Sequence, residues 1–165
     1  MREYSKDEKE YRAYVQSLKN SVLTAFYTPE PVVTAMQESL QVPGIRPGRF
    51  LDPSAGTGMF ISGLKGVPEV HCFEKDKLTG KILSALYPES RVAIDGFQSI
   101  QPYYNNYFDM VSSNIPFGNT RVYDRDFDRS EDVVRKSSLA AVHNYFFLKG
   151  MDTLHEGGIL AYITT

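Results

Sequence analysis

The sequence contains a single cysteine among its 165 residues, which excludes an internal disulfide. That cysteine, Cys72, lies within an apolar run, and a reducing, cytoplasmic location fits it. Long hydrophobic runs are also missing, because no apolar stretch approaches the roughly 18–20 residues of a membrane span. The first eight residues are too polar for a signal peptide. These absences predict a cytoplasmic protein without membrane contact.

An excess of basic residues is absent as well. The formal net charge is −2 and the sequence isoelectric point is about 5.9, whereas nucleic-acid-binding domains usually carry a basic surface. If this chain binds nucleic acid, most of the phosphate contacts must come from outside it. The hydrophobic and charged fractions, 42% and 23%, are ordinary for a globular protein.

Several common site motifs are missing too. Ile61 stands where a dinucleotide-binding turn has its third glycine, and no phosphate-binding Gly-Lys-Ser/Thr follows. The run Asp124–Asp128 has the alternating acids of a calcium loop, but Arg129 and Arg135 occupy the positions of its glycine and closing glutamate. The three histidines have no partner at zinc-ligand spacing, and no nucleophile-elbow serine motif occurs. We therefore expect no metal site.

What the sequence does contain is an alternation of short apolar runs with helical patterns. Runs that are apolar on both faces are typical of a parallel sheet covered by helices, so we predict a single α/β domain. The last run reaches the end of the sequence without a turn, and we expect the domain to be incomplete at its C-terminus. The predicted strands are Arg49–Leu51, Glu69–Phe73, Arg91–Ile94, Phe108–Ser113 and Ile159–Thr165.

Helical spacing of apolar residues predicts the helices between these strands. A first helix covers about residues 6–22, and a second runs to about Gln41 with Thr28 as N-cap and Pro29 at its first position. The charged stretch 119–138 has as many basic as acidic side chains, which predicts a solvated, mobile loop. The other predicted helices are Met59–Leu64, Lys75–Tyr87 and a last one with the apolar stripe Leu139, Val142, Phe146, Phe147, Met151 and Leu154.

Side chains suited to a nucleoside follow the first three strands. The glycine turn (residues 52–58, Asp-Pro-Ser-Ala-Gly-Thr-Gly) lets the backbone approach a ligand closely. Glu74 can accept hydrogen bonds from both ribose hydroxyls. Asp95 offers a carboxylate to an exocyclic amine, and Phe97 offers a ring to a purine. The alternatives are a solvated acid at position 74 and a simple turn at Asp95-Gly96.

The fourth strand is followed by the amide turn (Asn114–Phe117, Asn-Ile-Pro-Phe). An aromatic amino group is a poor nucleophile, since its lone pair is delocalised into the ring. An Asn side-chain oxygen and a nearby backbone carbonyl can accept its two N–H groups and free the lone pair to attack a sulfonium methyl. Pro116 stiffens the turn, and Phe117 can stack on an extruded base. The alternative is a strand-ending turn with a core Phe.

In their order along the chain, these segments resemble the DNA N6-adenine methyltransferases of the gamma arrangement. The resemblance includes modification subunits of restriction systems and helicase–methylase proteins of phages and mobile elements. It assigns to catalysis the amide-turn residues Asn114, Ile115, Pro116 and Phe117, where Ile115 replaces the family's first Pro. It assigns to the cofactor site Tyr27, Thr28, Asp52, Ser54, Ala55, Gly56, Gly58, Glu74, Asp95 and Phe97.

The resemblance implies a Rossmann-like class I S-adenosylmethionine-dependent methyltransferase with a mostly parallel sheet and helices on both faces. It implies methyl transfer from S-adenosylmethionine to the exocyclic N6 amino group of adenine in DNA. We divide the chain into an N-terminal helix (1–24), a cofactor-binding half (25–100) and an incomplete catalytic half (101–165). DNA is then the partner, and recognition or helicase domains lie outside this chain.

Other functions stay open at this point. The target could be another planar amine or amide, such as a protein glutamine or an rRNA guanine, because those families share the Asn-Pro-Pro-aromatic turn. A non-catalytic cofactor-binding module of a larger protein is a further alternative, favoured by Ile115. Because Pro keeps the backbone carbonyl, we expect Ile115→Pro to preserve activity unless the Ile115 N–H has a hydrogen-bond partner.

Overall fold

Five parallel strands form the sheet in the computed structural model, which describes residues 5–15, 28–41, 44, 46–64 and 69–164. The order across the sheet is β3-β2-β1-β4-β5, and each neighbouring pair is parallel. The predicted parallel sheet is therefore confirmed. The strands are β1 (Arg49–Asp52), β2 (Glu69–Phe73), β3 (Arg91–Ala93), β4 (Phe108–Asn114) and β5 (Leu154–Ile163).

Helices lie on both faces of this sheet, as predicted. No helix in the described ranges is long and apolar enough to cross a membrane. The helices are α1 (8–15), α2 (Glu30–Gln41), α3 (Met59–Ser62), α4 (Lys77–Leu86), α5 (Arg125–Arg129), α6 (Val133–Ser138) and α7 (Val142–Thr153), and two short 3-10 helices, Phe97–Ser99 and Pro102–Tyr104, connect β3 to β4.

Alternating side chains of the strands divide the core into two clusters. Phe50 of β1 packs with residues of α2, α3 and α4. Its neighbour Leu51 packs with residues of α5 and α7 on the other face. This alternation follows from the two-residue period of a strand. Since both faces are covered, the apolar character of every central strand is explained.

The helix boundaries differ from the sequence prediction where capping decides them. Asp76 accepts a hydrogen bond from the Thr79 N–H (2.8 Å) and so delays the start of α4 to Lys77. Similarly, the Pro29 carbonyl accepts from the Val32 N–H (3.0 Å), which places Pro29 rather than Thr28 at the N-cap position of α2. Of the first predicted helix, residues 16–22 lie outside the described residues.

Three further expectations are wrong. The stretch 119–138 is not a solvated loop, because it forms α5 and α6 and buries Phe127 to 1% exposure. In α7, Met151 is half exposed, while Tyr145 is fully buried in the apolar stripe. Strand β5 begins at Leu154 instead of Ile159.

Candidate cofactor and substrate site

The glycine turn is held at the C-terminal end of β1 by backbone hydrogen bonds. The Ala55 N–H donates to the Phe73 carbonyl (2.9 Å), which ties the turn to β2. Gly58 has a φ of +91°, and a Cβ there would lie 2.3 Å from a ring carbon of Tyr87. Gly56 has a φ of +56°, yet nothing lies within 4 Å of a Cβ built on it. Gly58 is thus required for packing, whereas Gly56 leaves open space in which a ligand can approach the backbone.

Glu74 supports the turn from the end of β2. Its Oε2 accepts from the Gly56 N–H (2.8 Å) and its Oε1 from the Asp76 N–H (2.7 Å). Burial raises the pKa of Glu74, and these backbone donors oppose the shift. A carboxylate oxygen has two lone pairs, so each oxygen can still accept a ribose hydroxyl. The bridging role of Glu74 between the turn and α4 was not predicted from the sequence.

Asp52 lies at the head of the turn with no exposed surface. Its Oδ1 accepts from the Ser54 N–H (3.1 Å), but its Oδ2 has no hydrogen-bond partner among the described residues. Burial raises the pKa of Asp52 to about 7, the charge of Glu74 adds to the rise, and the neighbouring Ser113 hydroxyl and Ser54 N–H oppose it. An unpaired buried oxygen is costly. It therefore fits a ligand that brings an N–H donor, such as the ammonium group of S-adenosylmethionine.

The amide turn lies directly beside the glycine turn. Strands β1 and β4 are neighbours, and the Ser113 hydroxyl donates a long hydrogen bond to the Ser54 carbonyl (3.3 Å). Asn114, the last residue of β4, is partly buried and pairs in register with Ile163 of β5. The two segments identified in the sequence are thus brought to one edge of the sheet.

The rest of the amide turn combines a buried anchor with an exposed ring. Ile115 is 1% exposed, and its N–H donates to the Ile163 carbonyl (3.1 Å), which extends the pairing of β4 with β5. Pro116 is partly buried, while Phe117 is 37% exposed. Gly118 follows with a φ of +113°, which lets the chain leave the turn sharply. The Phe117 ring is therefore accessible to a partner from solution.

Two predicted cofactor residues are placed differently from what the sequence suggested. Phe97 is 1% exposed, and its ring packs against those of Phe73 (5.8 Å between centroids) and Phe146 (5.4 Å). It leaves no face for a purine, so that predicted role is corrected to a core residue. Asp95 is exposed, and its Oδ1 accepts from the Gly96 N–H (2.7 Å).

The N-terminal motif is described in part. Thr28 is partly buried just before α2, whereas Tyr27 lies outside the described residues. Within the ranges the structure covers, no group of three or more His, Cys, Asp or Glu side chains is placed to hold a metal ion.

A buried polar network around Asp124 was not predicted. Asp124 is 4% exposed and accepts from the Tyr145 hydroxyl (2.7 Å) and from the N–H groups of Asp126 (2.9 Å) and Phe127 (3.1 Å). The Lys149 ammonium lies 3.0 Å from its Oδ2. Burial alone raises the pKa of Asp124, but these donors outweigh it and the net shift is downward. The available signal was one lysine inside the apolar pattern of α7.

A second ion pair ties the same region to α7. The guanidinium of Arg135 forms a bidentate pair with Asp152 (2.6 Å for one of its bonds) and lies over the Phe127 ring. Bidentate pairs fix geometry as well as charge. Helices α5 and α6 are thus docked onto α7 by specific side chains.

Comparison with known proteins supports this architecture. No family model matches the chain. The chain is 31% identical over 147 residues to the defense against restriction protein B of Escherichia phage P1, covering 86% of this chain and 6% of that protein. It is 27% identical over 156 residues to the type II methyltransferase M.XamI of Xanthomonas campestris pv. amaranthicola, covering 86% and 29%. The chain therefore spans less than a third of either relative.

Solved structures identify the fold. A putative class I S-adenosylmethionine-dependent methyltransferase from Listeria monocytogenes superposes with a TM-score of 0.66 at 19% identity, covering 96% of this chain and 54% of that one. This chain has the class I methyltransferase fold. Other proteins with this fold are described as a modification subunit of a putative type I restriction enzyme, a putative RNA methyltransferase and an O-methyltransferase, so the fold alone does not select a target.

The cofactor of this class is S-adenosylmethionine, in agreement with the sequence-based expectation. The residues present fit it on three observations. Gly56 leaves open space at the turn, Glu74 retains acceptor capacity beside it, and Asp52 has an unpaired buried oxygen at its head. In class I sheets, ligands bind outside the carboxyl ends of the strands, where all three residues lie.

Proposed function

We propose that this chain transfers a methyl group from S-adenosylmethionine to the N6 amino group of adenine in DNA. The observation that carries the proposal is the hydrogen bond from the hydroxyl of Ser113, the residue directly before the amide turn, to the Ser54 carbonyl of the glycine turn. It brings the two turns that we assign to the cofactor and to the target amino group to one edge of the sheet. Methyl transfer needs that proximity.

The amide turn supplies the acceptors for the target amino group. The side-chain oxygen of Asn114 and the backbone carbonyl of Ile115 accept its two N–H groups and draw the nitrogen lone pair out of conjugation with the purine. Bound S-adenosylmethionine supplies an electrophilic methyl group on a sulfonium sulfur. The nitrogen forms the new bond to that carbon as the carbon–sulfur bond breaks, and the excess proton then leaves the nitrogen for water. Catalysis comes from positioning and electrostatics, since no strong base is required.

Phe117 contributes a surface for the target base. An adenine inside a duplex cannot reach the turn, so it must be extruded from its stack. The exposed ring of Phe117 is two residues beyond Ile115, where it can stack on the extruded base. Stacking of this kind stabilises binding by about 1–3 kcal/mol per base.

The named relatives favour DNA as the substrate. One is described as a type II methyltransferase and the other as a protein of defense against restriction. Because the chain spans a small part of both, we propose that recognition or helicase domains accompany it. The net charge of −2 agrees with this division, since a chain with few spare cations depends on other domains for phosphate contacts.

The test is methylation of DNA by the full chain with labelled S-adenosylmethionine, followed by mass spectrometry of the nucleosides. We expect N6-methyladenine from the wild type and a loss of about 100-fold or more in Asn114→Ala, because removal of one preorganised polar group costs that much in comparable sites. Calorimetry of S-adenosylmethionine binding is the control, and the affinity of Asn114→Ala should stay near that of the wild type.

Three outcomes would contradict the proposal when RNA and protein are assayed beside DNA. Label found in RNA guanine or protein glutamine, with none in adenine, would assign another planar target. An Asn114→Ala variant with full adenine methylation would remove the amide turn from the chemistry. Cofactor binding without transfer to any of these substrates would favour the non-catalytic module.

A further inference from the structure

The flanking segment (residues 119–125) follows the amide turn, and from Arg121 to Arg125 its exposed side chains alternate with side chains that are partly or fully buried. Arg121, Tyr123 and Arg125 are exposed, and Tyr123 has 75% of its surface accessible. Asp124 is buried with an extended backbone (φ −129°, ψ 119°). An extended residue sends the side chains before and after it to the same side, which places Tyr123 and Arg125 together. Arg121 is exposed two residues before Tyr123, across Val122, which packs on the core. The exposed side chains therefore follow the order cation, aromatic ring, cation along the chain.

The opposite side of the segment is fixed to the protein. The Val122 N–H donates to the Leu139 carbonyl (2.9 Å), and the Val122 side chain packs on the same core cluster as Ile115. Asp124 is held by Tyr145 and Lys149 of α7. Tyr123 therefore lies between two anchored neighbours, and its position is set before any partner arrives. Preorganisation of this kind reduces the entropic cost of binding.

The segment lies within reach of the amide turn, because Tyr123 follows Phe117 by six residues and an extended chain of that length spans at most about 21 Å. Ile115 of the amide turn and Phe127 of α5 belong to one core cluster, and the rings of Phe127 and Tyr145 are 5.3 Å apart. The anchors of the segment and the acceptors for the amino group thus rest on shared packing. A strand that delivers a base to Phe117 can therefore extend to Tyr123.

We propose that the flanking segment is a nucleic-acid contact surface, in which Tyr123 stacks on a nucleotide next to the target and Arg121 and Arg125 meet the adjoining phosphates. The order cation–aromatic–cation matches the order phosphate–base–phosphate along a strand, and stacking on such platforms tolerates any base. Arg121 has one loose carboxylate contact, at 4.0 Å from Asp128, which a phosphate can displace. The location of this surface rests on the proposed function.

The experiment measures binding of the full chain, saturated with S-adenosylmethionine, to a fluorescent DNA duplex whose adenine faces a mismatch. We expect Tyr123→Ala to raise Kd by about fivefold or more, as loss of one stacked base does. Tyr123→Phe keeps the ring and should bind within about twofold of the wild type. The matched control is Tyr103→Ala, since Tyr103 is similarly exposed (70%) but lies in the connection between β3 and β4. Melting temperatures of all three variants should equal that of the wild type.

The arginines are tested by the salt dependence of the same binding. Arg121→Gln and Arg125→Gln should each reduce the slope of log K against log salt by about one, as expected for one lost phosphate contact. Unchanged slopes in both variants would overturn the phosphate contacts.

Different outcomes overturn the contact surface and the proposed function. Equal affinity of Tyr123→Ala and the wild type, or no binding of the duplex by the wild type, overturns the surface while adenine methylation stands on its own assay. An equal loss in Tyr103→Ala also overturns it. Binding that depends on Tyr123 without any N6-methyladenine overturns the proposed function and leaves the surface in place.

Discussion

The glycine turn follows β1 and the flanking segment follows β4 and the amide turn, but different interactions hold the two regions in place. The glycine turn is fixed by backbone groups close in space and by the conformational freedom of its glycines, as in the Ala55 N–H bond to Phe73. The flanking segment is fixed by side chains distant in sequence, because Asp124 depends on Tyr145 and Lys149. Backbone conformation dominates in the glycine turn, and a buried charge pair dominates in the flanking segment. Substitutions in the two regions should therefore destabilise the protein in different ways.

Removal of the cation from the buried pair is expected to have the largest effect. Lys149→Met fills similar space but leaves Asp124 as an uncompensated buried charge, which typically costs about 3–5 kcal/mol of stability. Lys149 is 6% exposed and its ammonium lies 3.0 Å from the Asp124 carboxylate. Urea denaturation of the wild type and of Lys149→Met measures the difference in unfolding free energy. We expect the flanking segment to lose its anchor in this variant.

A matched control is available in the same region. Lys136 is exposed on α6, so Lys136→Met should change stability by no more than about 0.5 kcal/mol. If Lys149→Met were as mild as this control, the buried pair would not be what holds the segment.

The sequence predicted the glycine turn because its information is local. Glycine spacing after an apolar run limits the backbone directly, and the strands β1, β2 and β4 were placed to within one residue for the same reason. The juxtaposition of the two turns followed from parallel pairing, which puts the carboxyl ends of neighbouring strands at one edge.

The flanking segment and α5, which follows it, could not be predicted in the same way. Their even mix of charges suggests solvent, and only the partners in α7 reveal that Asp124 and Phe127 are buried. The predicted role of Phe97 was wrong for a related reason, since the rings that bury it, Phe73 and Phe146, come from other elements. Long-range packing decides such positions, and no local pattern encodes it.

The buried acid of the glycine turn should give a pH dependence opposite in sign to that of the flanking segment, because the pKa of Asp52 is raised whereas that of Asp124 is lowered. Burial raises the pKa of Asp52 from 3.8 to about 7. Its contribution to stability is therefore full below about pH 4 and is lost as the pH rises towards 7. The full loss corresponds to at most about 4 kcal/mol. Asp52→Asn keeps an acceptor for the Ser54 N–H and removes the titration.

Urea denaturation between pH 4 and pH 8 measures this effect. The wild type should lose stability relative to Asp52→Asn across that range, and the two should run parallel above about pH 8. Parallel curves over the whole range would mean that Asp52 is not held protonated by burial.

Substitution of the two glycines separates packing from ligand access within the glycine turn. A Cβ at Gly58 would meet Tyr87 and Leu83, and the positive φ adds strain, so Gly58→Ala should cost about 2–4 kcal/mol of stability. Gly56→Ala carries the strain alone, at about 1–2 kcal/mol, because its Cβ points into open space. The Gly56→Ala substitution should reduce the free energy of S-adenosylmethionine binding by more than it reduces the free energy of unfolding. Calorimetry and thermal melting of both variants decide this, and unchanged affinity in Gly56→Ala would move the cofactor away from that side of the turn.

A further small effect is expected at the amide turn, where the Ile115 N–H has the hydrogen-bond partner on which the sequence-based expectation for Ile115→Pro depended. The Ile115 N–H donates to the Ile163 carbonyl at 3.1 Å, so Pro removes the donor and leaves that carbonyl unpaired. Ile115→Val is the matched variant, because Val and Pro have the same number of side-chain carbons and Val keeps the N–H. We expect the Pro variant to be less stable than the Val variant by about 1–3 kcal/mol. The carbonyl that we assign to the target amino group survives in both, so methyl transfer below the melting temperature should be retained if the turn keeps its shape. A Pro variant as stable as the Val variant would show that the bond to Ile163 contributes nothing, and a stable but inactive one would count against the amide turn as the catalytic element.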